Sequence, residues 1–305
     1  MSEALPPRFE GTFRLQDGRT LGYAEYGPVD GKPILWFHGT PGARRQIAPQ
    51  ARALANRRKV RLIAVERPGI GDSTSHSYGS LADWAADIRA FCDAKGINEF
   101  AVCGLSGGGP YALACAFYLQ DRVVAATILG GVAPAAGADA AEGGISKLAR
   151  RFSPVVKHLR VPVNFLMVRL IRRLEPHADK AVDLFARFMP PGDKAMFEDP
   201  ALRAMLQDDL MLGSRKQVQA MVHDVVMFGK DWGFPLSKIE TPVYLLYGNA
   251  DNIVPVGHGK HMAARIPNAV FREREGEGHM GGLAASEEIF NDLLSHWPRR
   301  KSKQR

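Results

Sequence analysis

The feature that most constrains this chain is a serine set among glycines, where an apolar segment meets a helix-like segment. Residues 104–108 read Gly-Leu-Ser-Gly-Gly, directly after the apolar run Phe100–Cys103. The run Pro110–Leu119 follows and has the composition of a buried helix. A G-x-S-x-G sequence between a strand and a helix is typical of a sharp turn that exposes one serine hydroxyl at the carboxyl end of a sheet. We therefore predict that Ser106 is a nucleophile in a strained backbone conformation.

The glycines around this serine have separate predicted roles. A side chain at Gly104 or Gly108 would collide with the tight turn, whereas Gly107 and Gly109 would let the backbone approach a substrate. The chain contains 31 glycines, so the motif alone also fits a chance occurrence. Its strand–turn–helix context is what favours a nucleophile.

Strand-like and helix-like segments alternate along most of the chain. Phe9–Leu15 and Thr20–Tyr26 have alternating polarity and are separated by Asp17-Gly18, which predicts an antiparallel hairpin. Alternation of further strands with helices predicts an α/β fold, with a mostly parallel eight-stranded sheet and helices on both faces. The other predicted strands are Pro33–Phe37, Val60–Val65, Phe100–Cys103, Val123–Leu129, Val243–Tyr247 and Ala269–Glu273, and the predicted helices are Ser80–Lys95 (N-cap Ser80), Pro110–Leu119, His258–Ile266 and Ser286–Trp297.

The alternation stops between Ala133 and Trp232, where the residues have a helical pattern and are rich in Met and Phe. We therefore predict an all-helical insertion after the sixth strand. The predicted division is a first core part at 1–133, the insertion at 134–233, a second core part at 234–298 and a basic, disordered tail at 299–305.

Polar residues follow the predicted third and fifth strands, at the edge of the sheet where α/β proteins bind ligands. The segment 38–42 reads His-Gly-Thr-Pro-Gly. The N–H of Thr40, together with that of Gly107, would form an oxyanion hole with two donors. A plain turn is the alternative interpretation. The expected substrate contacts are His38, Gly39 and Leu105.

An acid and a histidine follow the last two predicted strands. Asp251 lies just past the seventh strand and His279 just past the eighth. A histidine there could take the proton of Ser106 and return it to a leaving group, and a carboxylate could orient that histidine. Each residue alone also fits a structural role, because Asp favours turns and most histidines are not catalytic. The order serine, acid, histidine favours a catalytic triad and differs from the order in the two main serine-protease folds.

Taken together, five segments resemble the α/β-hydrolase superfamily, from about Gly22 to Trp297 apart from the insertion. This resemblance implies that the insertion is a helical cap over an active site. The segments are His38–Gly42, Arg67–Ser73, Gly104–Gly108, Gly248–Asp251 and Gly278-His279.

The resemblance also narrows the chemistry. Dehalogenases and epoxide hydrolases of the superfamily use an aspartate nucleophile, whereas this chain has Ser106. Dehalogenases and proline iminopeptidases place Trp after the nucleophile, where this chain has Gly107. Epoxide hydrolases use cap tyrosines, and residues 119–243 contain none. The resemblance thus implies a carboxylesterase-like serine hydrolase without a cofactor, acting on a small ester, with thioesters and amides left open. The alternatives are a lyase-type enzyme on the same triad and a ligand-binding protein with an idle triad.

The composition of the insertion bears on the substrate. Methionine adapts to irregular apolar shapes, so a hydrophobic ester would suit a Met-rich site. Packing of the cap helices on one another and on the core explains the same residues, and we favour it for most of them. The residues are Met167, Met189, Met196, Met205, Met211, Met221, Met227, Phe165, Phe185, Phe188, Phe197 and Phe228.

The formal charge of +8 comes partly from two local runs. Residues 299–305 carry five positive charges, and residues 147–173 carry eight with no acid. No nucleic-acid motif accompanies them, so we favour a solvated helix face over nucleic-acid binding. The segment Val163–Leu174 could rest on an anionic membrane as a basic amphipathic helix. A helix packed on the core has the same pattern, and we favour it.

The cysteines and the first residues of the chain indicate the cellular compartment that we expect for this protein. Cys92, Cys103 and Cys115 all lie in apolar patterns, which is typical of reduced core residues in a cytoplasmic protein. No C-x-x-C pair or Cys/His cluster suggests a metal. Residues 1–7 lack the basic and apolar regions of a signal peptide. Oligomeric state is not encoded in any of these patterns.

Overall fold

The fold is built on one eight-stranded sheet, described by a computed structural model over residues 5–141, 187, 189–214 and 217–297. The strand order is β1-β2-β4-β3-β5-β6-β7-β8. The strands are β1 (Phe9–Arg14), β2 (Thr20–Tyr26), β3 (Lys32–Phe37), β4 (Val60–Val65), β5 (Phe100–Leu105), β6 (Val123–Leu129), β7 (Val243–Gly248) and β8 (Ala269–Arg274). The described helices are α1 (Pro49–Arg57), α2 (Leu81–Ala94), α3 (Gly109–Tyr118), α4 (Pro191–Glu198), α5 (Pro200–Ser214), α6 (Gln217–Phe228), α7 (Gly257–Ala263) and α8 (Ser286–Ser295).

Strand pairing confirms the predicted mostly parallel sheet. Strand β2 is antiparallel to both of its neighbours, β1 and β4. Every other neighbouring pair is parallel. Since parallel strands place their carboxyl ends at one edge, the loops after β3, β5, β7 and β8 all emerge on the same side of the sheet.

Helices cover both faces of the sheet, as predicted. Trp36 and Phe37 are adjacent on β3 and are buried in different core clusters, as the two-residue period of a strand requires. Helices α2, α3 and α7 pack in the cluster that contains Phe37. Helices α1 and α8 pack in the cluster that contains Trp36.

Helix boundaries show where sequence signals were sufficient. Ser80 is the N-cap of α2, as predicted, and the Asp83 carboxylate accepts a hydrogen bond of 3.2 Å from its N–H. Helix α1 was not predicted. It begins after Ala48, which offers no side-chain acceptor, and its buried residues are Ala51, Arg52, Leu54 and Ala55. Such a segment lacks a capping signal and has only one large apolar side chain, that of Leu54, among its buried residues.

The insertion between β6 and β7 contains α4, α5 and α6 within the described residues. Met189, Met205 and Met227 are buried in apolar clusters, which agrees with a packing role for these three. The limits of the cap at 134 and 233 stay a prediction. Several other predictions fall outside the described residues: the helix Val163–Leu174, the basic run 147–173, the side chains of Met167, Phe165, Phe185, Phe188 and Met211, and the tail 299–305.

The cysteines are free and buried, as expected of reduced core residues. Among the helices that the structure describes, none combines the length and apolarity needed to cross a membrane.

Candidate active site

The serine elbow has the predicted strained geometry. Ser106 follows β5 directly and has a φ of +51°, in the left-handed region that non-glycine residues avoid. A Cβ added to Gly104 would lie 2.5 Å from the carbonyl oxygen of Gly108. One added to Gly108 would lie within 3.0 Å of the carbonyl oxygen of Phe37 on β3. The turn therefore tolerates no side chain at either glycine, for the steric reason that the sequence suggested.

Three side chains from three loops form one hydrogen-bonded chain. The Oγ atom of Ser106 lies 2.8 Å from Nε2 of His279. The Nδ1 atom of His279 lies 2.7 Å from Oδ2 of Asp251. An ionised carboxylate only accepts hydrogen bonds, so Nδ1 is the protonated ring atom and Nε2 is free to accept from the serine hydroxyl. The arrangement can remove a proton from Ser106 and deliver it elsewhere.

Burial and local hydrogen bonds fix the acid end of this chain. Asp251 and His279 are 7% and 8% exposed. The second carboxylate oxygen of Asp251 accepts hydrogen bonds of 2.8 Å from the N–H groups of Ile253 and Val254. The carboxylate is thus held by its own loop, with one oxygen aimed at the imidazole.

One glycine beside His279 was not predicted to belong to the site. Gly130 directly follows β6 and has a φ of +55°. A Cβ there would lie 3.3 Å from Nδ1 of His279 and 3.5 Å from Oδ2 of Asp251. Any side chain would press on the pair, and a positive φ is not visible in sequence.

The segment after β3 lies against the elbow. A Cβ added to Gly107 would lie 2.9 Å from Cβ of Thr40 and closer still to its Oγ1. The turn is braced by Gln46, whose Oε1 accepts a 2.6 Å hydrogen bond from Gly39 N–H and whose Nε2 donates one of 3.1 Å to Pro41 O. The two predicted oxyanion donors, Thr40 and Gly107, are thus immediate neighbours.

This contact makes Gly107→Ala a sensitive test of the turn. The added methyl group would force Thr40 away from the elbow, because it would also lie 3.1 Å from the Phe228 ring. If Thr40 is one of two oxyanion donors, as the sequence predicts, its displacement is expected to lower kcat for a p-nitrophenyl ester about 100-fold. Initial rates with p-nitrophenyl butyrate would measure the loss.

Gly257→Ala is the matched control. A Cβ at Gly257, in the first turn of α7, meets nothing within 4 Å. We expect its kcat to equal that of the wild type and its stability to rise by about 0.5–1 kcal/mol, since alanine is the better helix former. Wild-type kcat for Gly107→Ala would contradict the assigned geometry.

Three expected roles need correction. His38 is 1% exposed, its Nδ1 lies 2.8 Å from Gly39 O, and its Nε2 accepts from Arg67 N–H at 3.3 Å. Burial and the nearby guanidinium of Arg67 lower the pKa of His38 well below its usual value, so the ring is neutral and has no free nitrogen for a substrate.

Leu105 is 2% exposed and packs in the core. A Cβ added to Gly109 would lie 3.0 Å from Gly131 Cα, so this glycine permits close packing of α3 rather than approach of a substrate.

Each of the three described helices of the insertion has one buried aspartate that contacts a loop near this site. The sequence analysis identified none of these three contacts. Asp193 of α4 lies 3.2 Å from Met280 N–H, next to His279. Asp209 of α5 accepts from the N–H groups of Ala43 and Arg45 at 2.9 and 3.1 Å. Burial raises the pKa of Asp193, and it raises that of Asp209 to about 7. The third is Asp224 of α6, 3% exposed.

The match to a family model agrees with this geometry. Residues 32–284 match the model described as the alpha/beta hydrolase fold. The chain therefore belongs to the α/β-hydrolase fold family.

Individual relatives match most of the chain. It is 26% identical over 290 residues to a non-heme chloroperoxidase of Streptomyces lividans, covering 93% of this chain and 98% of that protein. It is 27% identical over 290 residues, with the same shares covered, to a bifunctional esterase/perhydrolase of Acinetobacter calcoaceticus. An esterase structure from Exiguobacterium antarcticum superposes with a TM-score of 0.67 at 18% identity, covering 94% of this chain and 98% of that one. The family and these relatives support a hydrolase.

Proposed function

We propose that this protein is a serine hydrolase that cleaves a small, hydrophobic carboxylic ester through an acyl-enzyme on Ser106. The observation that carries the proposal is the unbroken hydrogen-bonded chain from Ser106 through His279 to Asp251. A serine within 2.8 Å of an imidazole that is oriented by a carboxylate is the arrangement that activates a hydroxyl for nucleophilic attack.

The proposed reaction has two halves. In the first, Ser106 Oγ bonds to the acyl carbon as its proton moves to His279 Nε2, and the same proton then leaves with the alcohol. In the second, water gives a proton to His279 and attacks the acyl carbon, and the proton returns to Ser106 as the acid is released. Asp251 stabilises the charged imidazole in both halves. The N–H groups of Thr40 and Gly107 would bind the oxyanion.

The position of the Phe228 ring supports the proposal that the acyl group of the substrate is hydrophobic. Its Cζ would lie 3.1 Å from a Cβ on Gly107, so an aromatic wall stands beside the oxyanion donors. Phe228 is only partly buried against the core, which leaves ring surface for a ligand. Apolar surface of this kind binds alkyl groups by their exclusion from water.

The esterase activity named for one relative supports ester cleavage over the two alternative functions, a lyase-type enzyme and a ligand-binding protein. A lyase-type enzyme on the same triad would turn over its substrate without releasing an acid. A ligand-binding protein with an idle triad would show affinity and no turnover. The intact geometry of the triad favours catalysis over an idle triad, and the esterase named among the relatives favours hydrolysis over a lyase-type reaction.

The test is hydrolysis of p-nitrophenyl esters from acetate to octanoate by the purified protein. Nitrophenol should appear with one equivalent of the acid, and kcat/KM should rise by about fourfold per methylene while the acyl chain fits the apolar wall. Matched thioesters and anilides would rank the other acyl classes. Absence of turnover across all three series would refute the proposal, and ligand binding without turnover would favour the idle triad.

A further inference from the structure

The Thr40 hydroxyl hydrogen-bonds to a carboxylate and to a guanidinium, and both of these side chains are buried. Its Oγ1 donates a 2.6 Å hydrogen bond to Oδ2 of Asp224 and accepts one of 2.8 Å from Nη2 of Arg67. The hydroxyl proton and a lone pair are therefore both committed. A threonine fixed in this way has one side-chain orientation.

Arg67 ties the same segment down through its backbone. Its guanidinium, in a residue that is 2% exposed, donates to the carbonyl oxygens of His38 at 2.5 Å and Gly39 at 2.9 Å. These are the two carbonyls that precede Thr40 in the chain. Because the N–H of Thr40 belongs to the peptide whose carbonyl is Gly39 O, the hydrogen bond to Gly39 also sets the direction of that N–H.

Asp224 compensates the buried cation. It pairs with Arg67 Nη2 at 2.9 Å and with Arg67 Nε at 3.2 Å, and it accepts a 2.7 Å hydrogen bond from the Tyr111 hydroxyl. A buried guanidinium left without this carboxylate would be strongly disfavoured and would shift. The position of Arg67, and through it that of residues 38–40, thus depends on Asp224.

The acid and the residues that it holds come from different parts of the fold. Asp224 lies on α6 of the insertion, 184 residues from Thr40 in sequence. Thr40 and Gly107 belong to loops of the core sheet, after β3 and β5. The Thr40 side chain in turn fills the space beside Gly107 Cα. Contact with the insertion is therefore transmitted to both proposed oxyanion donors.

We infer that Asp224 is a positioning residue that completes the oxyanion hole from the insertion, acting through the Thr40 hydroxyl and Arg67. The inference rests on the proposed function, because it assigns a task to the same oxyanion donors. The insertion then contributes to stabilising the transition state as well as to covering the site.

A purely structural anchor is the competing explanation, and Asp209 provides the comparison. It is also a buried aspartate of the insertion, and it docks α5 on the backbone of Ala43 and Arg45. None of the hydrogen bonds described for Asp209 involves Thr40 or Arg67. If anchoring alone matters, Asp209→Asn and Asp224→Asn should have similar effects on catalysis.

The experiment is a double-mutant cycle between Asp224 and Thr40, read as kcat and KM with p-nitrophenyl butyrate and as the rate of labelling by a fluorophosphonate. Asp224→Asn should lower kcat and the labelling rate about 10- to 100-fold, less than loss of a whole oxyanion donor. Its KM should stay within about threefold, because the contact acts on the transition state. Thr40→Val should show the same pattern with a smaller loss, because it leaves the pair between Asp224 and Arg67 intact, and the double variant should lose no more than Asp224→Asn alone.

Two controls keep the inference open to refutation. Thr40→Ser retains the hydroxyl and should recover most of the kcat that Thr40→Val loses, and the comparison of these two variants tests the inference if Asp224→Asn does not fold. Asp209→Asn should lower the melting temperature with kcat within about threefold of the wild type. Additive losses in the cycle, or equal effects of the two aspartates on kcat, would overturn the inference alone. A wild type that is neither labelled nor active would overturn the proposed function and the inference with it.

Discussion

Replacing Ser106 with alanine is expected to lower kcat/KM for p-nitrophenyl butyrate by about 10⁴-fold or more, the scale found when a triad nucleophile is removed. The reason is that the proposed acyl-enzyme forms on Oγ, and the neighbouring donors would support only slow attack by water once that atom is gone. The backbone of the turn should survive, although alanine retains the strained positive φ of +51°. Melting temperature and initial rates measured together separate loss of chemistry from loss of fold.

Ser295→Ala is the matched control for this loss. Ser295 ends α8 and donates a 2.7 Å hydrogen bond to Asp292 O on the exposed surface. Its removal should leave kcat/KM unchanged. If Ser106→Ala kept more than about a hundredth of the wild-type rate, the nucleophile would have to be sought elsewhere.

Replacing His279 with glutamine is expected to lower kcat/KM by about 10³- to 10⁴-fold. Glutamine retains a hydrogen-bonding group but no base, so the Ser106 proton has nowhere to go. The decisive variant is the double replacement Ser106→Ala with His279→Gln. Residues that act as one unit lose little more together than apart, so its rate should match that of Ser106→Ala.

His296→Gln controls for the loss of an imidazole. His296 Nε2 lies 2.7 Å from the Tyr244 hydroxyl at the end of α8, away from the loops of the candidate site. We expect wild-type kinetics for it. Multiplicative losses in the double variant would show instead that Ser106 and His279 contribute independently, contrary to a shared proton transfer.

Sequence patterns were sufficient for the parts of the site that are encoded locally. The elbow depends on glycines within four residues of one another, so the collisions at Gly104 and Gly108 could be argued from the motif. Ser106 and Asp251 each follow a strand with a clear apolar run, whereas His279 follows β8, whose second half is charged. Their convergence follows from the parallel sheet, and the structure brings all three within hydrogen-bonding distance.

The contacts of the insertion could not be predicted, because a helix pattern does not say which acid is buried. Asp208 and Asp209 are adjacent in α5, yet Asp208 is half exposed and pairs with Arg45 whereas Asp209 is 1% exposed. Asp224 is 157 residues from Arg67, and nothing local marks the pair. His38 was misjudged for the same reason, since the Arg67 N–H that donates to its Nε2 lies on a neighbouring loop.

The central claim is that Ser106 is an activated nucleophile, and intact-mass spectrometry after exposure to a fluorophosphonate tests it most directly. The account predicts a single phosphonyl adduct on the wild type and none on Ser106→Ala, with both proteins folded. No adduct on the folded wild type, or an adduct that persists on Ser106→Ala, would contradict it.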